Sequence, residues 1–132
     1  MKKEELRLGN YVLCHTENGD KIGKINHISG EVNSLVFSVA TIIDGNDYIG
    51  RCDNITPIEL TEQMLLDNGF VLNENGLFKG KDDINILRSG DGWEGVIFNK
   101  TSHCDFYRDK IYLHELQNLY YEVNKKELDF KL

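Results

Sequence analysis

A tryptophan and several cationic side chains are the residues of this sequence best suited to bind a ligand. Trp93 follows a glycine-rich turn, Arg88 precedes that turn, and Tyr107, Arg108 and Lys110 lie on or after the next predicted strand. An aromatic ring supplies a stacking face, and guanidinium and ammonium groups form charge-assisted hydrogen bonds with phosphate. These five residues predict a site for a small anionic, nucleotide-like ligand. The alternative is that Trp93 packs in the core and the basic side chains are solvated.

The segment His103-Cys104-Asp105 holds the densest group of reactive side chains. A thiolate beside an imidazole can form a nucleophile pair, but neighbouring residues of a strand point to opposite faces of the sheet. His103 and Cys104 would therefore not face each other, and the same holds for Cys14 and His15. We predict no catalytic residue. The enzyme alternative would use the segment 103–105.

The sequence lacks the common motifs for cofactors and metals. It contains no Gly-x-x-x-x-Gly-Lys-[Ser/Thr] phosphate loop, no Gly-x-Ser-x-Gly nucleophile turn and no His-Glu-x-x-His pair. Its cysteines do not form the Cys-x-x-Cys spacing that is typical of zinc ligands. We therefore expect no cofactor and no metal site.

Short antiparallel strands are predicted for the first half of the chain. Apolar segments alternate with Asn-Gly and Asp-Gly turns, which indicate hairpins because both dipeptides tolerate positive φ. The strands are expected at residues 11–14, 21–28, 34–41 and 48–51. Short strands joined by tight turns favour a small SH3-like barrel.

Hairpins and two helices are predicted for the second half. Thr61 is a suitable N-cap for a short helix that ends at Asn68. Hairpins are expected around Asn75-Gly76 and around residues 89–92. Apolar residues at helical spacing predict a longer helix over residues 112–124.

The predicted fold class is therefore α+β, in a single domain over residues 1–132. The chain shows no repeat of fixed period and no low-complexity linker. We expect two sub-lobes within this domain, an SH3-like β lobe at 1–55 and an α+β lobe at 56–132.

The C-terminal helix carries more apolar side chains than a single core-facing stripe requires. Leu113 and Tyr121, with Leu128 and Phe130 beyond the helix, form a second set. Tyrosine is enriched at interfaces because it joins apolar area to a polar tip. This set predicts a surface for a partner protein or for a second subunit in a homo-oligomer. The alternative is that these residues pack in the core.

Composition excludes several classes of function. The chain has 132 residues, 15 Lys plus Arg against 22 Asp plus Glu, and a formal net charge of −7. This charge disfavours nonspecific nucleic-acid binding and adhesion to an anionic membrane. We expect a cytoplasmic protein with three reduced cysteines, Cys14, Cys52 and Cys104. The reasons are that their number is odd and that the N-terminal residues lack the apolar run of a signal peptide.

Three segments carry a family resemblance. They are Leu6-Arg7-Leu8-Gly9-Asn10-Tyr11-Val12, the stretch from Ile55 to Phe70, and the stretch from Tyr112 to Tyr121, which runs into Lys126-Glu127-Leu128. Together they resemble a family of small uncharacterised proteins encoded by gut Bacteroidales genomes and by their phages and prophages. The resemblance implies a phage or prophage association, and it assigns no activity, cofactor or functional residue.

These observations favour a non-enzymatic binding protein in the host-cell cytoplasm. Such a protein would act by occupying a host protein or by sequestering a small anionic ligand, for example as a counter-defence factor. An acidic chain could alternatively imitate nucleic acid towards a basic host protein. The alternatives are a virion or assembly component, favoured if the C-terminal helix drives oligomerisation, and the small enzyme described above.

Overall fold

The computed structural model describes residues 6–17, 19–29, 38–43, 46–51, 55–80, 83–98 and 102–132. Two antiparallel sheets and two helices lie within these ranges, so the predicted α+β class is confirmed. Residues 34–37 of the predicted third strand and Cys52 lie outside them. Of the described cysteines, Cys14 is buried and Cys104 is half-buried, and the two are not joined to each other.

The first sheet is an antiparallel meander with one added strand. It contains β1 (Tyr11–Thr16), β2 (Gly19–Ser29), β3 (Ser38–Ile43), β4 (Asn46–Arg51) and β5 (Ile55–Thr56). The strand order is β4-β3-β2-β1-β5. Within the described residues β4 and β5 are the two edges of an open sheet. A sheet closes into a barrel only when its edges pair, so the predicted SH3-like barrel is not confirmed.

The second sheet follows a short helix and is a meander throughout. The elements are α1 (Glu62–Asp67), β6 (Val71–Leu72), β7 (Leu77–Lys79), β8 (Asn85–Ser89), β9 (Gly92–Phe98), β10 (Ser102–Arg108) and then α2 (Leu113–Asn124). The strand order is β10-β9-β8-β7-β6, with every pair antiparallel. The predicted C-terminal hairpins and both predicted helices are therefore present.

Local hydrogen bonds explain where the two helices begin and end. The Thr61 hydroxyl accepts a hydrogen bond from the Met64 amide at 3.2 Å, which satisfies one of the unpaired donors in the first turn of α1. Gly69 follows α1 with a φ of 84°, a conformation in which glycine avoids steric strain. At the start of α2 the Glu115 carboxylate reaches back to accept from the Tyr112 amide at 3.1 Å, as in half of a capping box.

The chain divides into two compact units. One comprises residues up to Ile58 together with Tyr112–Asn118, and the other comprises Glu59–Ile111 together with Leu119–Leu132. This division places the first part of α2 with the N-terminal strands. The core of the first unit is formed by the apolar residues Leu6, Val12, Cys14, Ile25 and Ile55.

Aromatic side chains are prominent in the core of the second unit. The rings of Phe78 and Trp93 are 6.1 Å apart, and those of Phe98 and Tyr120 meet edge to face at 5.9 Å. These separations lie in the range that aromatic pairs prefer.

Neither described helix has the length and apolarity needed to cross a bilayer.

Candidate functional site

The second sheet brings the predicted ligand-binding residues into one row across three strands. Arg88 on β8 pairs with Trp93 on β9, and Trp93 pairs in turn with Arg108 on β10. Two successive hairpins are sufficient for this arrangement, because antiparallel pairing makes neighbours of residues that are far apart in sequence. The predicted juxtaposition of Arg88, Trp93 and Arg108 along the backbone is therefore present.

Trp93 does not offer a stacking face for a ligand. Its side chain is only 3 % exposed, and the guanidinium carbon of Arg88 lies 4.5 Å from the centre of its ring. An internal cation–π contact therefore occupies the position that a bound base would need. The prediction of a stacking tryptophan is corrected here: the indole is part of the core and is covered by Arg88.

The other predicted cationic residues are also engaged within the chain. Arg88 Nε lies 3.0 Å from a carboxylate oxygen of Glu62, and Lys110 Nζ lies 3.8 Å from Glu59. The Arg108 guanidinium is 5.4 Å from the centre of the Phe106 ring. A phosphate would have to compete with a carboxylate at Arg88 and at Lys110. The described geometry therefore gives these side chains local structural roles and no common anion site.

The pairing register of β9 shifts against both of its neighbouring strands, close to Tyr107. The β8–β9 register shifts between Leu87 and Arg88, and the β9–β10 register shifts between Asp105 and Arg108. Tyr107 itself has a φ of 41°, which is uncommon for a residue with a side chain. Bulges of this kind bend a strand and redirect its side chains. As a result, Tyr107 is 68 % exposed, whereas the residues of the adjacent strand β9 are buried or half-buried.

The surroundings of the Tyr107 hydroxyl are negative. This phenol lies 3.4 Å from a carboxylate oxygen of Glu94, to which it can donate a hydrogen bond. The charges of Asp105 and, to a smaller extent, Glu94 raise the pKa of the Tyr107 phenol above its ordinary value, because a phenolate is disfavoured beside carboxylates. Tyr107 was predicted to help bind an anion, and this environment disfavours one. It suits a cation instead.

The reactive segment on β10 separates into two faces, as the alternation of a strand predicts. His103 and Asp105 are both exposed, with His103 Nε2 at 2.7 Å from Asp105 Oδ1. Cys104 is half-buried, between these two exposed positions. The imidazole therefore contacts the carboxylate and not the thiol. Cys14 and His15 also differ, since Cys14 is buried in the core and His15 is half-exposed.

The predicted interface on the C-terminal helix is largely inside the protein. Leu113, Leu128 and Phe130 are all buried, and only Tyr121 of the four predicted residues is exposed. Side chains buried within their own chain cannot contact a partner without a rearrangement. The prediction of a partner surface at Leu113, Leu128 and Phe130 is therefore corrected to core packing, which was the alternative considered for them.

Sequence reasoning missed Glu94 as a functional candidate. Its position beside Tyr107 depends on the register shifts in two ladders, and those shifts have no marker in the sequence.

The described residues contain no group of three or more His, Cys, Asp or Glu side chains arranged to hold a metal ion. Comparison with known protein families, with characterised proteins and with solved structures finds no match to this chain. The candidate site is therefore argued from its geometry alone.

Proposed function

We propose that this chain is a non-enzymatic interaction protein that binds a basic segment of another protein at the exposed edge of β10. The contact surface, which we call the Tyr107 patch, consists of Tyr107, Glu94 and Asp105. The observation that carries the proposal is the exposed Tyr107 ring with two carboxylates beside it. A tyrosine face flanked by carboxylates suits a guanidinium or ammonium group through cation–π and charge-assisted contacts.

The backbone of β10 favours the same kind of partner. In the described part of the chain β10 is the last strand of its sheet, with β9 on one side only. An extended peptide can add through main-chain hydrogen bonds to the regular part of this edge, residues 102–105, which precedes the irregularity between Asp105 and Arg108. On β10 the exposed side chains of His103, Asp105 and Tyr107 occupy alternate positions. An added strand would therefore lie beside the phenol of Tyr107 and the carboxylate of Asp105, which His103 contacts at 2.7 Å.

Overall charge supports a basic partner over an anionic ligand. The formal net charge is −7, so the long-range field attracts cationic segments and repels phosphates. Arg108 is a cation next to Tyr107 in sequence, but its guanidinium lies over the ring of Phe106. Phe106 is half-buried, between the exposed positions 105 and 107 of β10. Sequestration of a nucleotide-like ligand at Trp93 is the weaker version, because Arg88 already covers that ring.

The resemblance to phage and prophage proteins suggests the biological setting. We infer that the partner is a host protein in the cytoplasm and that occupying it interferes with host machinery, for example a defence system. The alternative of a virion or assembly component has less support, since three of the four residues that suggested it are buried.

The test uses the full chain labelled with ¹⁵N and two unstructured peptides of equal length, one rich in arginine and one rich in glutamate. We expect the arginine-rich peptide to shift backbone resonances of β9 and β10 around Tyr107, and the glutamate-rich peptide to shift none of them. Added salt should weaken the binding because the contacts lie at the surface.

A matched pair of tyrosine variants makes this test specific. Tyr107→Ala should weaken peptide binding by about tenfold, since one exposed cation–π contact and its neighbouring contacts are lost. Tyr121→Ala removes another exposed tyrosine, on α2, and should leave the affinity unchanged. Equal losses in both variants, or shifts that avoid β10, would contradict the proposed site. Binding of a nucleotide panel in place of the basic peptide would favour the sequestration alternative.

A further inference from the structure

An aspartate, a histidine and a threonine form a row of hydrogen-bonded side chains on the first sheet, at positions that the proposed function does not use. We call Asp20, His15 and Thr56 the relay. His15 Nδ1 lies 2.7 Å from Asp20 Oδ1, and His15 Nε2 lies 3.0 Å from the Thr56 hydroxyl oxygen. Both distances are within hydrogen-bond reach. We propose that Thr56 is a modification site, an acyl acceptor whose hydroxyl is activated by His15.

Strand pairing holds the three residues together. His15 and Asp20 are register partners across the β1–β2 hairpin, and Thr56 pairs with Leu13, two residues before His15. Residues two apart on a strand share a face. The relay is therefore built on three neighbouring strands and not on a loop, which favours a fixed geometry.

Hydrogen bonding also sets the tautomer of the imidazole. A carboxylate can only accept, so the Asp20 contact requires the proton of a neutral His15 to be on Nδ1. Nε2 then carries a lone pair, and the Thr56 hydroxyl can donate to it. This arrangement matches a nucleophile, a base and an orienting carboxylate, in which Asp20 is a positioning residue.

The site is open to a reagent and has an apolar neighbour. The side chains of His15 and Asp20 are 39 % and 57 % exposed. Leu13 and Ile22 are register partners next to them, and Ile22 is exposed. A short acyl chain on Thr56 would lie beside this pair. We therefore expect the donor to be a thioester or an activated ester of a short apolar acid.

The reaction transfers one acyl group and needs no oxidant or reductant. Thr56 Oγ1 attacks the acyl carbonyl and forms an ester bond, while its proton passes to His15 Nε2. The bond between the acyl group and its leaving group breaks, and the leaving thiolate or phenolate takes up the proton. The reaction consumes the Thr56 hydroxyl, so each chain takes up one acyl group at this site, which is compatible with a non-enzymatic binding protein.

The experiment treats the full chain with p-nitrophenyl acetate and follows nitrophenolate release, intact mass and the modified peptide. We expect the peptide that contains Thr56 to gain one acetyl group as an ester that hydroxylamine removes, separate from any amide formed at lysines. His15→Gln should slow this acylation by about 100-fold, the lower end for loss of a general base. Asp20→Asn should slow it as well, with recovery in Asp20→Glu, because a carboxylate is needed to hold the tautomer.

Ser89, an exposed hydroxyl at the end of β8, is the internal control and should stay unmodified. Thr56→Val should abolish the hydroxylamine-sensitive acetyl group on the peptide that contains residue 56 without changing the acylation of lysines. Equal labelling of Ser89 and Thr56, or an unchanged rate in a folded His15→Gln variant, would overturn the proposal. Circular dichroism of each variant shows whether it is folded.

Discussion

The side-chain amide of Asn10 donates a hydrogen bond of 2.8 Å to the side-chain oxygen of Asn118. The two residues are far apart in sequence, one near the N-terminus and one in α2. Arg7 reinforces the contact, since its Nε donates to the same Asn118 oxygen at 3.2 Å. A partly buried polar network therefore joins the N-terminal segment to α2.

Gln117 completes this network from the neighbouring position of α2. Its side-chain oxygen accepts from the Tyr11 amide at 2.9 Å, and its amide nitrogen donates to the Gly9 carbonyl at 3.1 Å. Gln117 is buried, so these bonds satisfy polar groups that water does not reach. A helix residue thus pairs with backbone groups next to the start of β1.

Removing the Asn10 side chain should destabilise the protein. Asn10 is fully buried, and its oxygen also accepts from the Arg7 amide at 2.7 Å. Asn10→Ala removes both side-chain bonds and takes away the Asn10 acceptor of the Arg7 amide, so we expect a loss of about 1–3 kcal/mol in the free energy of unfolding. Urea unfolding measures it. Asn75→Ala, at an exposed turn position, is the control and should change stability by less than about 0.5 kcal/mol.

The N-cap of α1 should make a separable contribution to stability. Thr61→Ala removes the acceptor for the Met64 amide, and we expect a cost of about 1 kcal/mol. Thr61→Ser keeps a hydroxyl and should retain most of the stability. A thermal unfolding series of the three proteins tests this, and equal losses in both variants would show that the hydroxyl is not the cause.

Gly95 should not tolerate a side chain, because β10 approaches it closely. A Cβ at this position would lie 2.6 Å from the Cys104 carbonyl oxygen and 3.0 Å from Asp105 Oδ1. Gly95→Ala must therefore push β10 away from β9, at a cost of about 1–3 kcal/mol in unfolding free energy. The same change should weaken peptide binding at the Tyr107 patch. Ser89→Ala, at an exposed strand end, is the control for both measurements.

Burial of Trp93 predicts its fluorescence. The chain contains a single tryptophan, so its emission reports on this site alone. We expect a blue-shifted emission that iodide quenches poorly and that moves to longer wavelength on unfolding, because the indole is covered by Arg88 and Phe78. Nucleotides should not quench it. Strong quenching by a nucleotide would restore the predicted stacking site.

The titration of Tyr107 should follow the charges beside it. Asp105→Asn should lower the pKa of the Tyr107 phenol towards its ordinary value, and Glu94→Gln should lower it less, because Asp105 is the larger cause of the rise. Carbon-13 NMR of the phenol against pH measures both.

The sign of the linked effect on stability follows from proton binding. Between the pKa of Tyr107 in the unfolded chain and its raised pKa in the folded protein, the folded state holds more protons than the unfolded one. The contribution of Tyr107 to the free energy of unfolding is therefore complete below the unfolded pKa and is lost as the pH rises through the folded pKa. Tyr107→Phe should remove this alkaline loss.

Local features of the sequence determined most of the secondary structure. The Asn75-Gly76 turn, the Thr61 cap and the helical spacing over 112–124 each depend on residues close together in the chain, so they could be predicted directly. The order β10-β9-β8-β7-β6 also follows from short turns, since successive hairpins leave each strand beside its predecessor.

Tertiary structure decided which side chains are exposed to a ligand or a partner protein. Arg88 covers Trp93 because the two are register partners and Glu62 lies 3.0 Å from the guanidinium, and these contacts depend on packing across elements. Tyr107 is presented beside Glu94 because two ladders shift register at the same place. Composition and spacing identify aromatic, cationic and acidic residues, but burial and register depend on contacts between distant segments. Those contacts engage Arg88 and Trp93 within the chain and place carboxylates beside Tyr107.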